Sequence, residues 1–257
     1  MAAHLSRQND GRLQLRIDDL DAPRVRGEYV EDIFESLAWL GIEPDAGPHS
    51  AAEQRNAFSQ TARIALYNTL LEKLADAGHL FACTCSRKDV EQRRRSGQYD
   101  GACMAKNIPL DTPDVSWRIR TPRETALVHF TDGLAGAQQI DLWEAQRHFV
   151  VRRRDGLPAY HIASLYEDAT AGINAIVRGQ DLLSSTAAQL YTARLLGIEN
   201  FTAARFYHHP LLEDEGGHKL SKSAGSKSLK ALRGAGVAAA DVMAAFEKWR
   251  AEFSVAL

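Results

Sequence analysis

The residues best suited to chemistry form a short loop, Gly217-His218-Lys219-Leu220-Ser221-Lys222-Ser223, in which two lysines bracket a serine. Glycine lets such a backbone bend, and each lysine adds a compact positive charge. Cations positioned in this way stabilise the negative charge that develops on a polyphosphate in a transition state. The loop therefore predicts phosphate binding. A solvated Lys/Ser loop is the structural alternative, because both residue types are mostly exposed in proteins.

A second candidate is the group of three cysteines, Cys83, Cys85 and Cys103, which all fall within one short region. Structural zinc binds four ligands in a tetrahedron, and thiolates are among its preferred ligands. Three cysteines need a fourth donor. The residues alone leave two candidates open, the His79 imidazole and the less usual Tyr99 phenol. Three free buried thiols are the alternative to a metal site.

The periodicity of apolar residues predicts the elements that position these groups. Helices are predicted at 28–40, 57–76, 184–196 and 237–249, and short strands at 13–17, 80–83, 147–151 and 175–179. Residues 160–166 fit a helix or a buried strand, and the polar stretch 86–116 indicates an inserted subdomain. Alternating strands and helices predict an α/β fold with a mainly parallel sheet.

Composition limits the class of protein. The chain has 257 residues, 45% hydrophobic and 25% charged, with a net charge of -2, which is typical of a globular protein. The arginine runs 93–95 and 152–154 could face phosphates or simply solvent. The first residues show no apolar signal segment, and no run of residues is apolar enough to span a membrane. With an odd number of cysteines, this favours the cytoplasm.

Several segments together resemble the class I aminoacyl-tRNA synthetases, and within them the relatives of glutamyl-tRNA synthetase. Lys219-Leu220-Ser221-Lys222-Ser223 resembles their Lys-Met-Ser-Lys-Ser loop. The stretches 15–21, 153–160 and 176–182 resemble, in this order, their Arg-Ile-Glu-Asp, Arg-x-Asp-Gly-x-x-x-Tyr and Val-Arg-Gly-x-Asp segments. The Cys-x-Cys…Tyr-x-x-x-Cys pattern is similar to the zinc motif of the glutamyl-Q tRNA(Asp) synthetases, and the likeness covers nearly the whole chain.

This resemblance implies a Rossmann-like catalytic domain with an inserted zinc-binding subdomain and a short helical C-terminus. The catalytic domain would comprise residues 1–78 and 158–210, the zinc-binding or connective subdomain 79–157, and the lysine loop with the C-terminal helices 211–257. It also implies one zinc ion, for which the family motif selects Cys83, Cys85, Tyr99 and Cys103 as ligands.

The implied activity is activation of L-glutamate with ATP, followed by transfer of glutamate to queuosine in the anticodon of tRNA(Asp). Asp18 would accept a hydrogen bond from the substrate ammonium, Tyr160 would offer its hydroxyl, and Arg178 would bind a substrate carboxylate. ATP with Mg²⁺ would contact Lys219, Ser221 and Lys222, and the protein would be a monomer. Without the resemblance, a capping Asp18, a core Tyr160 and an ion-paired Arg178 are the preferred interpretations.

The sequence departs from the family pattern in two places. Asp18 stands where the family usually has Glu, so its contact with the ammonium would be longer or water-mediated. No segment before Gly11 matches the Pro-Ser-Pro and His-x-Gly-His segments that hold ATP in the family. Residues 1–257 alone are therefore expected to activate glutamate poorly. A non-catalytic tRNA-binding relative and a fragment of glutamyl-tRNA synthetase remain as alternatives.

Overall fold

The computed structural model describes residues 1–21, 25–93, 99–212 and 228–253. The chain divides into two compact units. The first unit combines Met1–Ala62 with His209–Leu257, and the second is Arg63–His208. The four-part domain division expected from the sequence stays a prediction.

The described residues contain α-helices, β-strands and short 3₁₀ or π turns. The α-helices are α1 (Ala2–Gln8), α2 (Gly27–Trp39), α3 (Ala51–Glu53), α4 (Ile64–Asp76), α5 (Arg87–Arg93), α6 (Leu142–Ala145), α7 (Tyr160–Thr170), α8 (Leu183–Leu196), α9 (Glu199–Thr202), α10 (Leu229–Gly234) and α11 (Ala239–Ala251). The strands are β1 (Leu80–Cys83), β2 (Ser116–Ile119), β3 (Leu127–Asp132), β4 (Gly136–Asp141), β5 (Val150–Arg152), β6 (Ala175–Gly179) and β7 (Arg205–His209). Gln54–Phe58 forms a π-helical turn, and the 3₁₀ turns are Gln60–Arg63, Met104–Lys106, Arg123–Thr125 and Gln180–Leu182.

The strands form two sheets, one antiparallel and one mixed, so the expectation of a mainly parallel sheet is wrong. One sheet has the order β1-β2-β5 and is antiparallel, with Leu80 opposite Ile119. The other has the order β4-β3-β7-β6, in which β3 and β4 form an antiparallel hairpin and β3 runs parallel to β7. The sequence concealed the hairpin because β4 is mostly exposed on both faces and carries no apolar alternation.

The predicted strand at 13–17 is also wrong. Around Gln14 the described residues make only an isolated parallel bridge to Ala46. The loop at 45–46 binds the backbone N–H groups of the residues on both sides of Gln14. Asp45 Oδ2 accepts from Leu13 N at 2.7 Å, and Leu15 N donates to the Ala46 carbonyl at 2.9 Å. Gly47 has φ +97°, and a Cβ there would lie 2.1 Å from the Leu15 carbonyl oxygen. Because this loop lies so close, residues 13–17 form one isolated bridge to it and no continuous ladder of strand hydrogen bonds.

Most other predicted elements are confirmed with shifted ends. The helices at 28–40, 184–196 and 237–249 and the strands at 80–83 and 175–179 are present. The helix expected from residue 57 begins at Ile64, because residues 54–63 form π and 3₁₀ turns. The undecided segment at Tyr160 is the helix α7. None of the described helices is long and apolar enough to cross a membrane.

Helix α8 forms the centre of the second unit. Eight consecutive residues from Thr186 to Ala193 are buried, so every face of the helix packs against protein. Its apolar surface comes from Ala187, Ala188, Leu190 and Ala193, each at most 1% exposed. Thr186 and Gln189 lie in the same buried stretch and must find hydrogen-bond partners inside. Gly197, with φ +66°, ends the helix in the left-handed conformation.

Candidate functional sites

The three cysteines meet in the second unit. The sulfur atoms of Cys83, Cys85 and Cys103 all lie within 4.8 Å of one another. Cys85 Sγ and Cys103 Sγ are 3.5 Å apart. The Tyr99 hydroxyl lies 3.3 Å from Cys83 Sγ and accepts a hydrogen bond from Cys103 N at 2.9 Å. The four residues that the sequence singled out are therefore one cluster, called the cysteine cluster below.

Local structure explains how two distant segments supply this cluster. Cys83 ends the fully buried strand β1, and Cys85 follows two residues later. Tyr99 and Cys103 frame a tight turn that leads into the 3₁₀ turn Met104–Lys106. The two segments pack through a small apolar core of Phe81, Cys83, Val90, Tyr99 and Cys103. Burial of Tyr99, which is 2% exposed, brings its hydroxyl to the sulfur atoms.

A buried arginine, Arg118, packs against the Tyr99 ring of the cluster. The Arg118 guanidinium lies 4.1 Å from the centre of the Tyr99 ring, and its Nη1 donates to the His148 carbonyl at 2.8 Å. Such a cation over an aromatic face is attractive, more so where water is excluded. Burial and the neighbouring arginines lower the pKa of His148 to about 4, so this ring is neutral near pH 7. Arg118 thus holds the tyrosine ring without a competing charge from His148.

The acidities of the cluster are uneven in the absence of metal. Burial works against ionisation of Cys103, but hydrogen bonds from Tyr99 and Thr84 outweigh it and lower the thiol pKa to about 6. Burial, followed by the hydrogen bond to Cys103, raises the pKa of Cys85 to about 11. Burial and the contact with Cys83 raise the pKa of the Tyr99 phenol. One sulfur is therefore predisposed to be a thiolate, which is the form that binds metal.

Two distances in the cluster are close to those that a tetrahedral zinc ion requires. With Zn–S bonds of about 2.3 Å, two tetrahedral sulfur ligands lie about 3.8 Å apart, and a sulfur and an oxygen about 3.5 Å apart. The observed 3.5 Å between Cys85 and Cys103 and 3.3 Å between Cys83 and Tyr99 are close to these values. Among the described residues, no histidine joins the three sulfur atoms, so His79 does not take the fourth position.

We predict that Gly101→Ala destabilises this region. Gly101 has φ +78°, and an added Cβ would lie 3.0 Å from the His148 ring. The left-handed conformation and the crowding should together cost about 1–3 kcal/mol. Urea denaturation of the two proteins measures the difference. Gly78→Ala is the control, because Gly78 has φ +72° but open space around its Cβ, and it should cost less. Equal losses in the two variants would contradict the role of the His148 contact.

Arg178 lies in the same unit, on β6, and is 7% exposed. Its Nη1 donates to Thr186 Oγ1 at 3.1 Å and to Gln189 Oε1, and its Nη2 donates to Asp168 Oδ2 at 3.4 Å. The ion pair with Asp168 is the structural alternative expected from the sequence, and it is present. Asp168 also accepts from Ser164 Oγ at 3.4 Å. The guanidinium is thus held in one orientation.

The hydrogen bonds continue beyond Arg178 to a buried aspartate. Thr186 Oγ1 lies 2.8 Å from His208 Nε2, and His208 Nδ1 lies 2.6 Å from Asp132 Oδ2. The Asp132 carboxylate also accepts from the backbone N–H groups of Leu134 at 2.9 Å and Ala135 at 2.8 Å. Burial opposes its ionisation, but these hydrogen bonds, led by that of His208, lower the pKa of Asp132. His208 and Asp132 have fully buried side chains.

The other two residues expected to bind glutamate belong to different units of the chain. Tyr160 is the first residue of α7 and is 38% exposed, so it is not the core residue of the structural alternative. Asp18 belongs to the first unit, where its Oδ1 accepts from Arg16 Nε at 2.8 Å and from Gln60 Nε2 at 2.9 Å. The adjacent Asp19 is buried. The residues expected to bind ATP, Lys219, Ser221 and Lys222, lie outside the described residues, and their role stays a prediction.

Sequence reasoning missed the residues that surround Arg178. They come from two helices and two strands and carry no motif of their own: Asp168 lies on α7, Thr186 and Gln189 on α8, Asp132 on β3 and His208 on β7. One signal was available: Thr186 and Gln189 interrupt the alanine and leucine positions of a helix that is otherwise apolar. A polar side chain at such a position is buried and must be hydrogen-bonded.

Residues 2–248 match the family described as tRNA synthetases class I (E and Q), catalytic domain. The chain therefore belongs to this family, and its place is among the aminoacyl-tRNA ligases. It is 36% identical over 233 residues to a glutamyl-Q tRNA(Asp) synthetase of Burkholderia cenocepacia, covering 88% of this chain and 74% of the relative. It is 34% identical to a protein of the same name from Nitratidesulfovibrio vulgaris, covering 92% and 75%.

Relatives with a longer chain are also similar. A glutamate–tRNA ligase of Nitratidesulfovibrio vulgaris is 33% identical over 88% of this chain, which corresponds to 47% of the ligase. Among solved structures, a glutamate tRNA ligase of Elizabethkingia meningosepticum in complex with its amino acid has a TM-score of 0.70 at 24% identity. The likeness covers 88% of this chain and 49% of that ligase, and it shows the fold. The chain thus spans about half the length of these ligases.

Proposed function

We propose that the protein activates L-glutamate with ATP and transfers it to queuosine in the anticodon of tRNA(Asp). The observation that carries this proposal is the meeting of Cys83, Cys85, Tyr99 and Cys103 in one cluster. This ligand set resembles the zinc motif of glutamyl-Q tRNA(Asp) synthetases, and two relatives that bear this name match 88% and 92% of the chain. ATP, glutamate and tRNA(Asp) are the proposed substrates.

In this proposal the fold is Rossmann-like with an inserted zinc-binding subdomain. Zinc would be held by the three thiolates and the phenolate of Tyr99. When bound, zinc supplies a closed tetrahedral cross-link, which leaves no coordination position for substrate and so makes the site structural. The residues of the chain join β1 to the turn that contains Tyr99 and Cys103, two segments that meet only in tertiary structure.

Arg178 and Tyr160 are the proposed glutamate-binding residues of the second unit, and Asp18 that of the first. A guanidinium can bind a carboxylate through two parallel hydrogen bonds. Because Thr186, Gln189 and Asp168 already fix Arg178, little side-chain entropy remains to be lost when a carboxylate binds. Tyr160, which is partly exposed, adds a hydroxyl donor. Lys219, Ser221 and Lys222 are proposed to bind the ATP phosphates, with Mg²⁺.

Two measurements on the purified protein test the proposed function. Pyrophosphate exchange in the absence of tRNA should depend on glutamate and should be at least tenfold weaker with glutamine or aspartate, since a mispaired buried charge costs on the order of 1.4 kcal/mol or more. Labelled glutamate should be transferred to tRNA(Asp) that contains queuosine but not to the same tRNA with guanosine at that position. Equal transfer to both, or a preference for tRNA(Glu), would refute the queuosine assignment.

One observation favours a second candidate, a non-catalytic relative that binds tRNA or zinc. Arg178 is paired with a buried carboxylate, Asp168, which satisfies its charge without a substrate. In that case calorimetry would detect no glutamate binding, while zinc and tRNA would still bind. Glutamate binding with a measurable dissociation constant would exclude this candidate, whatever the rate of pyrophosphate exchange.

A further inference from the structure

We propose that Asp132, His208 and Thr186 form a relay of hydrogen bonds that positions Arg178 for glutamate. This inference rests on the proposed role of Arg178. The three residues are positioning residues, since the relay acts on the substrate only through the guanidinium. It would account for a buried Asp–His pair that no step of the proposed reaction uses directly.

The direction of each hydrogen bond follows from its partners. At 2.6 Å from a carboxylate oxygen, His208 Nδ1 must carry the proton and donate it to Asp132. In a neutral imidazole Nε2 is then an acceptor, so the Thr186 hydroxyl donates to it at 2.8 Å. The lone pairs of Thr186 Oγ1 are left to accept from Arg178 Nη1, which can only donate, at 3.1 Å. In this tautomer of His208, every proton in the relay has one assigned position.

The far end of the relay is rigid. Asp132 is the last residue of β3 and pairs with Phe206 of the parallel strand β7. Its carboxylate accepts from three backbone N–H groups, those of Leu134, Ala135 and His208, at 2.8–3.2 Å. The sheet thereby fixes the carboxylate, the carboxylate fixes the imidazole, and the imidazole fixes the hydroxyl that Arg178 contacts.

The consequence for binding is geometric. Asp168 and Gln189 contact the same guanidinium from α7 and α8. Loss of the hydroxyl would free the guanidinium to turn toward these two partners, because an Arg side chain retains several rotamers once a contact is removed. Displacement of a binding group by about 1 Å is enough to lose much of its contribution. The relay therefore raises glutamate affinity without touching glutamate.

Thr186→Val tests the relay, because valine keeps the shape and removes the hydroxyl. Thr192→Val is the matched control: Thr192 lies on the same helix, is equally buried at 0% exposure, and donates only to the Ala188 carbonyl at 2.8 Å in its own helix. Calorimetry of glutamate binding and thermal unfolding are measured for both variants and for Thr186→Ser. We expect Thr186→Val to weaken glutamate binding about tenfold, the size of one hydrogen bond to a charged group. Thr192→Val and Thr186→Ser should leave the affinity within about twofold of the unaltered protein.

The outcomes separate this inference from the proposed function. If Arg178→Ala weakens glutamate binding and Thr186→Val does not, the relay is refuted while the role of Arg178 stands. If Thr186→Val and Thr192→Val weaken binding equally, the effect is general destabilisation, and the relay is again refuted. If the unaltered protein binds no glutamate, both fail. Combining Thr186→Val with His208→Asn should add little to the loss of affinity, because both break the same chain of contacts.

Discussion

Chelation of zinc is expected to destabilise the protein more than any single substitution outside the cysteine cluster. Apparent binding free energies of structural zinc are about 10–16 kcal/mol in small peptides, comparable with the whole stability of an ordinary domain. An apolar core of Phe81, Val90 and Tyr99 also packs around the cysteine cluster, so this region should stay partly folded without metal. We expect one zinc per chain by metal analysis and a fall in Tm after treatment with a chelator, reversed by added zinc.

Ligand variants sharpen this prediction. Cys103→Ser should lose most of the zinc, and Tyr99→Phe should weaken zinc binding while preserving the ring that packs on Phe81 and Arg118. Tyr191→Phe is the control, since Tyr191 is 7% exposed and its hydroxyl donates to the Arg120 carbonyl at 3.2 Å and to no residue of the cysteine cluster. It should lose about 1 kcal/mol of stability and no zinc. Full zinc retention in a Cys83→Ala/Cys103→Ala double variant would contradict the assignment.

Arg178→Ala is expected to have the second largest effect, on both stability and glutamate binding. The substitution leaves the Asp168 carboxylate, 9% exposed, without its cation, and breaking such a buried pair costs about 3–5 kcal/mol. The lost contact with the glutamate carboxylate should weaken binding about 10- to 150-fold, from about 1.5–3 kcal/mol for a hydrogen bond to a charged group. Urea denaturation and calorimetry measure the two effects separately.

A double variant separates these two effects. Adding Asp168→Asn to Arg178→Ala removes the stranded charge, so stability should partly recover while glutamate binding stays weak. Arg63→Ala is the control: it breaks the 2.6 Å pair with Glu167, which lies next to Asp168 on α7, and should change stability but not glutamate affinity. Recovery of glutamate binding together with stability would mean that Arg178 acts only on the fold.

The sequence by itself determined the local elements and the residues of the cysteine cluster. Helices α2, α8 and α11 and strands β1 and β6 follow from apolar periodicity and from glycines at their ends, which are properties of neighbouring residues. The cysteine cluster could be predicted from the sequence for a similar reason. Cys83 and Cys85, and Tyr99 and Cys103, are each close in sequence, and metal ligands are chemically rare enough to be noticed.

Tertiary structure alone decided the sheet arrangement and the surroundings of Arg178. The apolar pattern missed the hairpin β3–β4, because its exposed strand carries no apolar alternation. It predicted a strand at 13–17, because that segment alternates, but among the described residues no strand lies beside it. Asp132 and His208 are 76 residues apart. Nothing local distinguishes them from solvated polar residues, because a polar side chain acquires its role only when burial removes water and leaves one partner within reach.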